Sequence, residues 1–389
     1  MVVVIIVKSI VFIQMTGGRT KTGSGGGLVF QELLARNMLK KSYSVYAITN
    51  SSDLYGFLFL GDHRFSVNAN NPKGGVLDML LFNRKKLKTE LSSLVNRIPE
   101  DSVYVTVDPF PADIFAARFL KNNLQKKTVV TMHHITPSLL FHPIRRGIAR
   151  SLVAWLISIN ALLFVKFHKV PIFLDNKRIA ASTGWKFSDN LMEMPLSLEK
   201  YSFTRPNNRG MNVCYVGRLS KNKGISDLIA IWKLVVQKLP NAKLILIGTD
   251  LGKGRFQKAI KKYHLESSIF IKHYLDDDAK RDILTTSSIF TFPSYEEGWS
   301  LAVMEAIDQG ALPIVYDLPA YDYICNNEIK IRVGDIKEFA NKVIYFLTHP
   351  KERNSTVAEI QKYISKFTPE YVTSLWVSQI LNVFDHIHT

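Results

Sequence analysis

The chain has little cysteine: two in 389 residues, Cys214 and Cys325. They are far apart, without C-x-x-C spacing or histidine partners, which excludes a disulfide framework and argues against a zinc site. A reducing compartment is the expected setting. No run is apolar enough to span a bilayer. The longest uncharged stretch, Ser151 to Val165, has fifteen residues and contains Asn160, short of the ~20 a spanning helix needs; it reads as a buried or interfacial helix. Tandem repeats and low-complexity tracts are absent, which excludes solenoids and disordered arrays. Acidic residues are scarce, 33 against 50 basic ones, for a formal net charge of +17. The excess is concentrated in residues 1–200, with 26 Lys and Arg against 13 Asp and Glu; the remainder has 24 against 20. A basic first half suits an anionic partner such as a phospholipid surface, although many such lysines are ordinary solvated surface. No nucleic-acid recognition pattern accompanies the charge, so no nucleic-acid partner is expected. The opening MVVVIIVKSIVFIQMT has no basic stretch before its apolar residues and is interrupted by Lys8, so it reads as a buried strand rather than a leader.

With 47% hydrophobic and 21% charged residues, the chain can fill two cores. Short β-rich runs recur at 9–16, 102–107, 128–133, 213–217, 243–248, 289–293 and 312–317. Between many of them lie segments with i, i+3, i+4 apolar spacing, such as ISDLIAIWKLVVQKL at 225–239. Strands alternating with helices predict an α/β protein with parallel sheets. The polar segment EKYSFTRPNNRG (199–210) marks a domain boundary. The expected organisation is an N-terminal domain of residues 1–200, a C-terminal domain of 201–370, and a closing amphipathic helix in 371–389.

Two segments carry chemistry. In Pro293-Ser-Tyr-Glu-Glu-Gly-Trp-Ser-Leu-Ala-Val-Met-Glu305 a strand ends and a helix begins near Ser300. The first amides of such a helix, from Trp299, Ser300 and Leu301, lack partners and suit a phosphate. Gly298 allows close approach of the backbone. Glu297 lies in the loop, and Glu305 in the helix is placed to accept hydrogen bonds from ribose hydroxyls. In Tyr215-Val-Gly-Arg-Leu-Ser-Lys-Asn-Lys-Gly224 a strand delivers Arg218, Lys221 and Lys223 into a glycine-flanked loop. Arg offers a planar fork to a diphosphate and Lys a point charge. Taken singly, either segment also fits an ordinary surface loop.

In this order they are far more specific. G-R-L-x-x-x-K-G, then about seventy residues later P-S-x-x-E-G-x-x-L-x-x-x-E-A, then Gly310-Ala-Leu-Pro-Ile-Val315, resembles glycosyltransferase family four. These are retaining enzymes of the GT-B fold, with two Rossmann-like domains facing across a cleft. The resemblance covers the C-terminal half almost continuously and the N-terminal half loosely. It implies a nucleotide diphosphate sugar donor held on the C-terminal domain, with no metal or other cofactor, and a glycan or lipid-linked acceptor on the N-terminal domain. Arg218 and Lys223 would hold the pyrophosphate, Glu297 would meet the transferred sugar and Glu305 the ribose. Glu296 leaves the register open by one residue, and the Glu-Gly-aromatic pattern favours Glu297. Gly25 and Gly26, in the loop Gly23-Ser-Gly-Gly-Gly27, match the family's Gly-Gly loop. His133, at a strand end beside His134, matches its usual histidine and would contact the donor sugar or steady developing charge. The closing helix would pack back toward the N-terminal domain. Asp250, His273, Trp299 and Ser300 depart from the pattern in loops that border the base, which leaves the base open. A nucleotide-sugar epimerase, a phosphorylase or a non-catalytic nucleotide-sugar-binding protein would share the architecture. The expected location is cytoplasmic, with peripheral docking on the membrane face through two basic clusters beside apolar residues: Arg84-Lys-Lys-Leu-Lys88 with Leu81, Leu87, Leu91 and Leu94, and Arg145, Arg146 and Arg150 running into the uncharged stretch 151–165.

Overall fold

The computed structural model describes residues 9–15, 26–50, 56–67, 82–133, 148–176, 178, 191–198, 209–250, 254–273, 275–324 and 326–385. The chain forms two compact units, Met1–Glu199 with Thr368–Thr389, and Lys200–Phe367.

The first unit is built on seven strands: β1 (Ser9–Gln14), β2 (Ser44–Asn50), β3 (Arg64–Val67), β4 (Val103–Thr106), β5 (Lys127–Met132), β6 (Ile172–Leu174) and β7 (Leu191–Glu193). All pairings are parallel, in the order β3-β2-β1-β4-β5-β6-β7. Its helices are α1 (Gly26–Lys40), α2 (Arg84–Val95), α3 (Pro111–Asn123), α4 (Ile148–His168) and α11 (Pro369–Asp385). Both faces of β1 are covered, so Ser9–Gln14 is buried at every position, as a parallel sheet demands. Val11, Ile13 and Met15 share one core with Leu87 and Leu91 of α2 and Ala112, Ala116 and Leu120 of α3. Val130, Met132, Ile172 and Leu174 share another with Ala161, Leu162, Phe164 and Val165 of α4. The opposite face is closed by the C-terminal helix. Trp376, fully buried, meets Phe30 of α1 at 5.7 Å and Phe173 of β6 at 4.8 Å.

The second unit repeats the plan with β8 (Asn212–Val216), β9 (Lys243–Ile247), β10 (Ile269–Lys272), β11 (Ile289–Phe292), β12 (Leu312–Tyr316) and β13 (Lys330–Ile331). Its order is β10-β9-β8-β11-β12-β13, again parallel. The helices are α5 (Ile225–Lys238), α6 (Arg255–Lys262), α7 (Asp277–Thr286), α8 (Leu301–Asp308), α9 (Ile336–Thr348) and α10 (Pro350–Ile364). Local chemistry sets the helix starts. The Asp276 carboxylate accepts from the Ala279 amide to cap α7, and Asp335 accepts from Glu338 to cap α9. α5 buries Leu228, Ile229, Ile231, Trp232 and Val235, each aliphatic one contributing about 1.5–3 kcal/mol. The Trp232 indole donates to Ser268 Oγ at 3.1 Å, so its polar atom is satisfied inside the core.

Each sheet reverses its strand order once, between β1 and β4 and between β8 and β11. Chain connections leave in opposite directions there, and a crevice opens at the carboxyl ends of the strands. Ligand chemistry is therefore to be sought after β8 and β11 in the second unit, and after β1 and β4 in the first. The uncharged stretch 151–165 lies inside α4, and its two faces differ: Ala161, Leu162, Phe164 and Val165 are buried, whereas Leu152, Leu156, Leu163 and Phe167 are exposed. Among the described residues no helix is long and apolar enough to cross a membrane.

Candidate active site

In the second unit β8 delivers Gly217, then a loop with a single 3-10 turn at Lys221–Lys223. Gly224 ends that turn in the left-handed region, φ 72°, and begins α5. A Cβ there would stand 1.7 Å from the Pro293 carbonyl oxygen. Only glycine lets the loop after β8 lie this close to the end of β11. Polar bonds complete the seam. The Tyr295 amide donates to the Asn222 carbonyl at 3.0 Å, and Asn222 Nδ2 donates to Glu296 Oε1 at 3.0 Å. The register of the two glutamates follows: Glu296 holds the loop, and Glu297 is left for Lys223. Lys223 Nζ lies 2.6 Å from Glu297 Oε1, with the side chains 16% and 9% exposed.

Tyr215, Tyr321 and Tyr323 surround that carboxylate. Their hydroxyls are pushed well above the usual tyrosine range, mainly by burial, with the charge of Glu297 adding to it. Tyr215 donates to the Arg218 carbonyl at 2.9 Å, whereas the buried Tyr323 hydroxyl has no hydrogen-bond partner among the described residues. Arg218 itself stands exposed at the strand end.

α8 begins at Leu301 from Ser300, which adopts φ 65° and ψ 83°. A non-glycine residue is strained there. The Ser300 carbonyl accepts from the Val303 and Met304 amides, and the first amides of the helix have no acceptor within it. Trp299 is only 5% exposed. Its ring stacks on Tyr323 at 4.5 Å, meets Phe367 edge-on at 5.3 Å, and donates its N–H to Met304 Sδ at 2.7 Å. Its side chain is thus engaged in packing, and its backbone is the part at the helix start.

Glu305, in the second turn of α8, is bonded to Lys280 of α7 at 3.1 Å, and Lys280 also reaches Asp277 at 3.1 Å. Burial raises the Glu305 carboxyl above the usual range while Lys280 pulls it back. Sequence reading gave no sign of Lys280, which lies 25 positions from its partner on another helix. Asp250 is absorbed locally, its Oδ2 accepting from the Gly254 amide at 3.1 Å at the start of α6.

In the first unit His133 follows β5, and its Nδ1 lies 2.9 Å from Asp175 Oδ1, after β6. Asp108 follows β4. Neither acid was singled out from the sequence: Asp108 lies just past the run at 102–107, and the short strand before Asp175 was not read as one. Gly26 is the first residue of α1; Gly25, His134 and Cys325 lie outside the described residues. Cys214 is buried, and burial pushes its thiol up to about 12, which leaves it inert at neutral pH. Among the described residues no group of three or more His, Cys, Asp and Glu side chains could hold a metal ion.

Residues 202–363 match the sequence profile described as glycosyl transferases group 1. The C-terminal unit belongs to this family. The profile takes in the Arg218, Lys223, Glu297 and Glu305 elements of the group 1 unit together. A similar relative is the GDP-mannose:cellobiosyl-diphosphopolyprenol alpha-mannosyltransferase of Xanthomonas oryzae pv. oryzae, 22% identical over 205 residues, which are 49% of this chain and 54% of that protein. The chain spans about half the length of the first curated relatives it matches. Among solved structures, sucrose-phosphate synthase from Thermosynechococcus elongatus superposes with a TM-score of 0.78 at 15% identity, covering 97% of this chain and 100% of the other. TarM of S. aureus, solved with fondaparinux, alpha-GlcNAc-glycerol and UDP, gives 0.73 at 12% identity, covering 96% and 99%. The group 1 unit and the unit before it thus share the GT-B fold of two Rossmann-like parts.

Proposed function

We propose that the protein is a retaining, metal-independent glycosyltransferase of family four. It moves a hexose from a nucleoside diphosphate sugar to a glycan or lipid-linked acceptor. The observation that carries this reading is the convergence of Arg218, the Lys223–Glu297 pair and the start of α8 on the switch point between β8 and β11. A diphosphate fits that chemistry: Arg218 and Lys223 supply two cations, and the α8 start supplies amides and the positive end of a helix dipole. Glu297 serves the hydroxyls of the transferred sugar, and Glu305 with Lys280 serves the nucleoside.

In the reaction, the bond between the anomeric carbon and the β-phosphate oxygen breaks, and the acceptor oxygen bonds to that carbon on the same face. The acceptor's proton passes to the leaving phosphate, whose charge Arg218 and Lys223 stabilise. The N-terminal unit takes the acceptor and contributes His133. A relative named for a diphosphopolyprenol acceptor supports the lipid-linked alternative.

We also assign an anionic bilayer surface as a partner of the first unit. Leu152, Leu156, Leu163 and Phe167 lie on one stripe of α4, Phe167 being 75% exposed. Arg118 and Lys121 of α3 act on His168 at the end of that helix, lowering its pKa together with burial, the largest cause. Basic groups beside an exposed apolar stripe suit the headgroup boundary.

The test is a thermal-shift screen with UDP-, GDP- and ADP-sugars, followed by assay of nucleoside diphosphate release with and without acceptor. A donor that binds the native state raises the melting temperature by mass action. Release that requires acceptor, with the product keeping the anomeric configuration, is the expected result. No shift with any donor would overturn the reading.

A further inference from the structure

Strand alternation in the first unit separates two kinds of side chain. Val130, Met132 and Leu174 face the core shared with α3 and α4. Thr131, His133, Phe173 and Asp175 therefore face the side covered by α1 and α11, where Phe30 meets the His133 ring edge-on at 6.1 Å and Phe173 meets Trp376. That side ends in a buried polar layer. His133 is bonded through Nδ1 to Asp175 Oδ1, and its Nε2 lies 3.2 Å from Nε2 of Gln31 on α1. Asp175 is 3% exposed and Gln31 is fully buried.

A carboxylate only accepts, so the proton on the Asp175 side belongs to His133 Nδ1. The Gln31 amide nitrogen can then donate to Nε2 while the ring is neutral. In that arrangement Gln31 Oε1 is buried and has no hydrogen-bond partner among the described residues, a costly position for an acceptor. When the ring is charged, Nε2 becomes a donor and opposes the amide nitrogen. Turning the amide over brings the idle Oε1 onto Nε2–H, so the charged ring gains an acceptor and the amide nitrogen takes the place Oε1 had held.

We propose that Asp175 and Gln31 are positioning residues that hold the His133 ring from both nitrogens, the Gln31 amide reversing as the ring gains or loses its second proton. The proposal deepens the reading above and rests on it where it concerns turnover. Among the described residues, the charged groups acting on the ring are Asp175 after β6 and Asp108 after β4. On the neighbouring helices, Glu32 of α1 accepts from the Phe57 amide and Asp113 of α3 from the Met15 amide; α11 brings the uncharged Trp376. Burial pulls the imidazole down, and the charge and hydrogen bond of Asp175, with Asp108 behind it, outweigh burial and hold His133 above the usual histidine value. Burial likewise raises the Asp108 carboxyl. The ring is charged below its raised pKa, and the charge is lost as pH rises through it.

The experiment is an NMR titration of the full chain carrying 13Cε1-labelled histidine, with the His133 signal assigned by its loss in His133→Gln. Gln31→Glu places a carboxylate on Nε2–H and should move the His133 midpoint up by about one pH unit or more, the size expected for an opposite charge at this distance. Gln31→Leu and Asp175→Asn each remove a partner of the charged ring and should move it down. The high-pH limb of turnover should shift in the same directions. A merely structural Gln31 would not give opposite shifts from two substitutions at one site. Gln31→Glu keeps the shape of the side chain and carries the test if Gln31→Leu does not fold. An unmoved His133 midpoint in Gln31→Glu would overturn the proposal, as would shifts in one direction from both Gln31 variants. If the midpoints move as expected and the wild type turns over no nucleoside diphosphate sugar, the clamp stands and the glycosyltransferase reading fails.

Discussion

Lys223 and Glu297, 74 positions apart, form an ion pair 2.6 Å long at the switch point of the second sheet. Each is the other's partner in a nearly dry setting, and each is assigned a different part of the donor: the diphosphate for Lys223, the sugar for Glu297. Donor binding must therefore compete with this pair. Lys223→Met leaves Glu297 buried without its cation, which for a buried pair costs about 3–5 kcal/mol. The expected outcome is a clear drop in the urea midpoint, with much of the loss recovered in the double variant Lys223→Met/Glu297→Gln. An additive double-mutant cycle would show that the two do not depend on each other.

Arg218 is exposed, and its side chain forms no ion pair among the described residues. Arg218→Ala should leave the melting temperature unchanged and weaken UDP, GDP or ADP binding by roughly 1.5–3 kcal/mol, the range for hydrogen bonds to a charged group. Calorimetric titration measures it, and unchanged affinity in the folded variant would remove Arg218 from the diphosphate site.

The two glutamates of α8 and its loop should separate by function. Glu297→Ala is expected to lose turnover while still binding nucleoside diphosphate. Glu305→Ala should weaken nucleoside diphosphate binding, and Lys280→Met should follow it, since Lys280 bonds Glu305 at 3.1 Å. Binding and turnover measured on the same preparations test this; the reverse pattern would mean that the roles are exchanged.

Ser300 adopts the left-handed conformation at φ 65°. Ser300→Gly should relieve that strain and stabilise the unit by roughly 1 kcal/mol, read as a higher urea midpoint. A lower midpoint would mean that the serine hydroxyl contributes more than its backbone costs.

The membrane assignment separates two helices. In α2 Leu87 and Leu91 are fully buried in the sheet core and Leu94 packs against it, so its leucines cannot enter a bilayer. Arg84 and Lys88 lie over the rings of Phe82, Phe115 and Phe119. Leu81, Arg145 and Arg146 lie outside the described residues. The apolar contact falls to α4. Sedimentation with anionic vesicles should show binding that salt weakens, at about 1 kcal/mol per basic residue near the surface. Leu156→Asp with Phe167→Asp should abolish it, and Arg84, Lys85 and Lys86 changed to Glu should reduce it. Absence of binding at low salt would leave α4's stripe without this role.

The sequence by itself determined the α/β class and seven of the thirteen described strands, β1, β4, β5, β8, β9, β11 and β12, and it offered the two donor-side segments as candidates, because these are written at short range. A buried parallel strand reads as an apolar run, as in Ile289–Phe292, and a glycine-flanked cation or a glutamate at a helix start lies within a dozen residues of its signal. Tertiary structure decided whatever depends on which side chains meet. Glu296 and Glu297 are chemically alike, and only the approach of Asn222 and Lys223 from the β8 loop assigns one to holding the loop and the other to the ion pair. Composition could not phase the uncharged helix; packing on β5 and β6 buried one face and exposed the other. Trp299 reads as a loop aromatic beside a ligand, and the placement of Tyr323 and Phe367 turns its ring into the core. His133 was legible as a strand-end histidine, but Gln31 and Asp175 stand 102 and 42 positions away from it. No local spacing encodes such a meeting; it follows from the parallel order of the sheet, which brings β5, β6 and the helix after β1 to one edge.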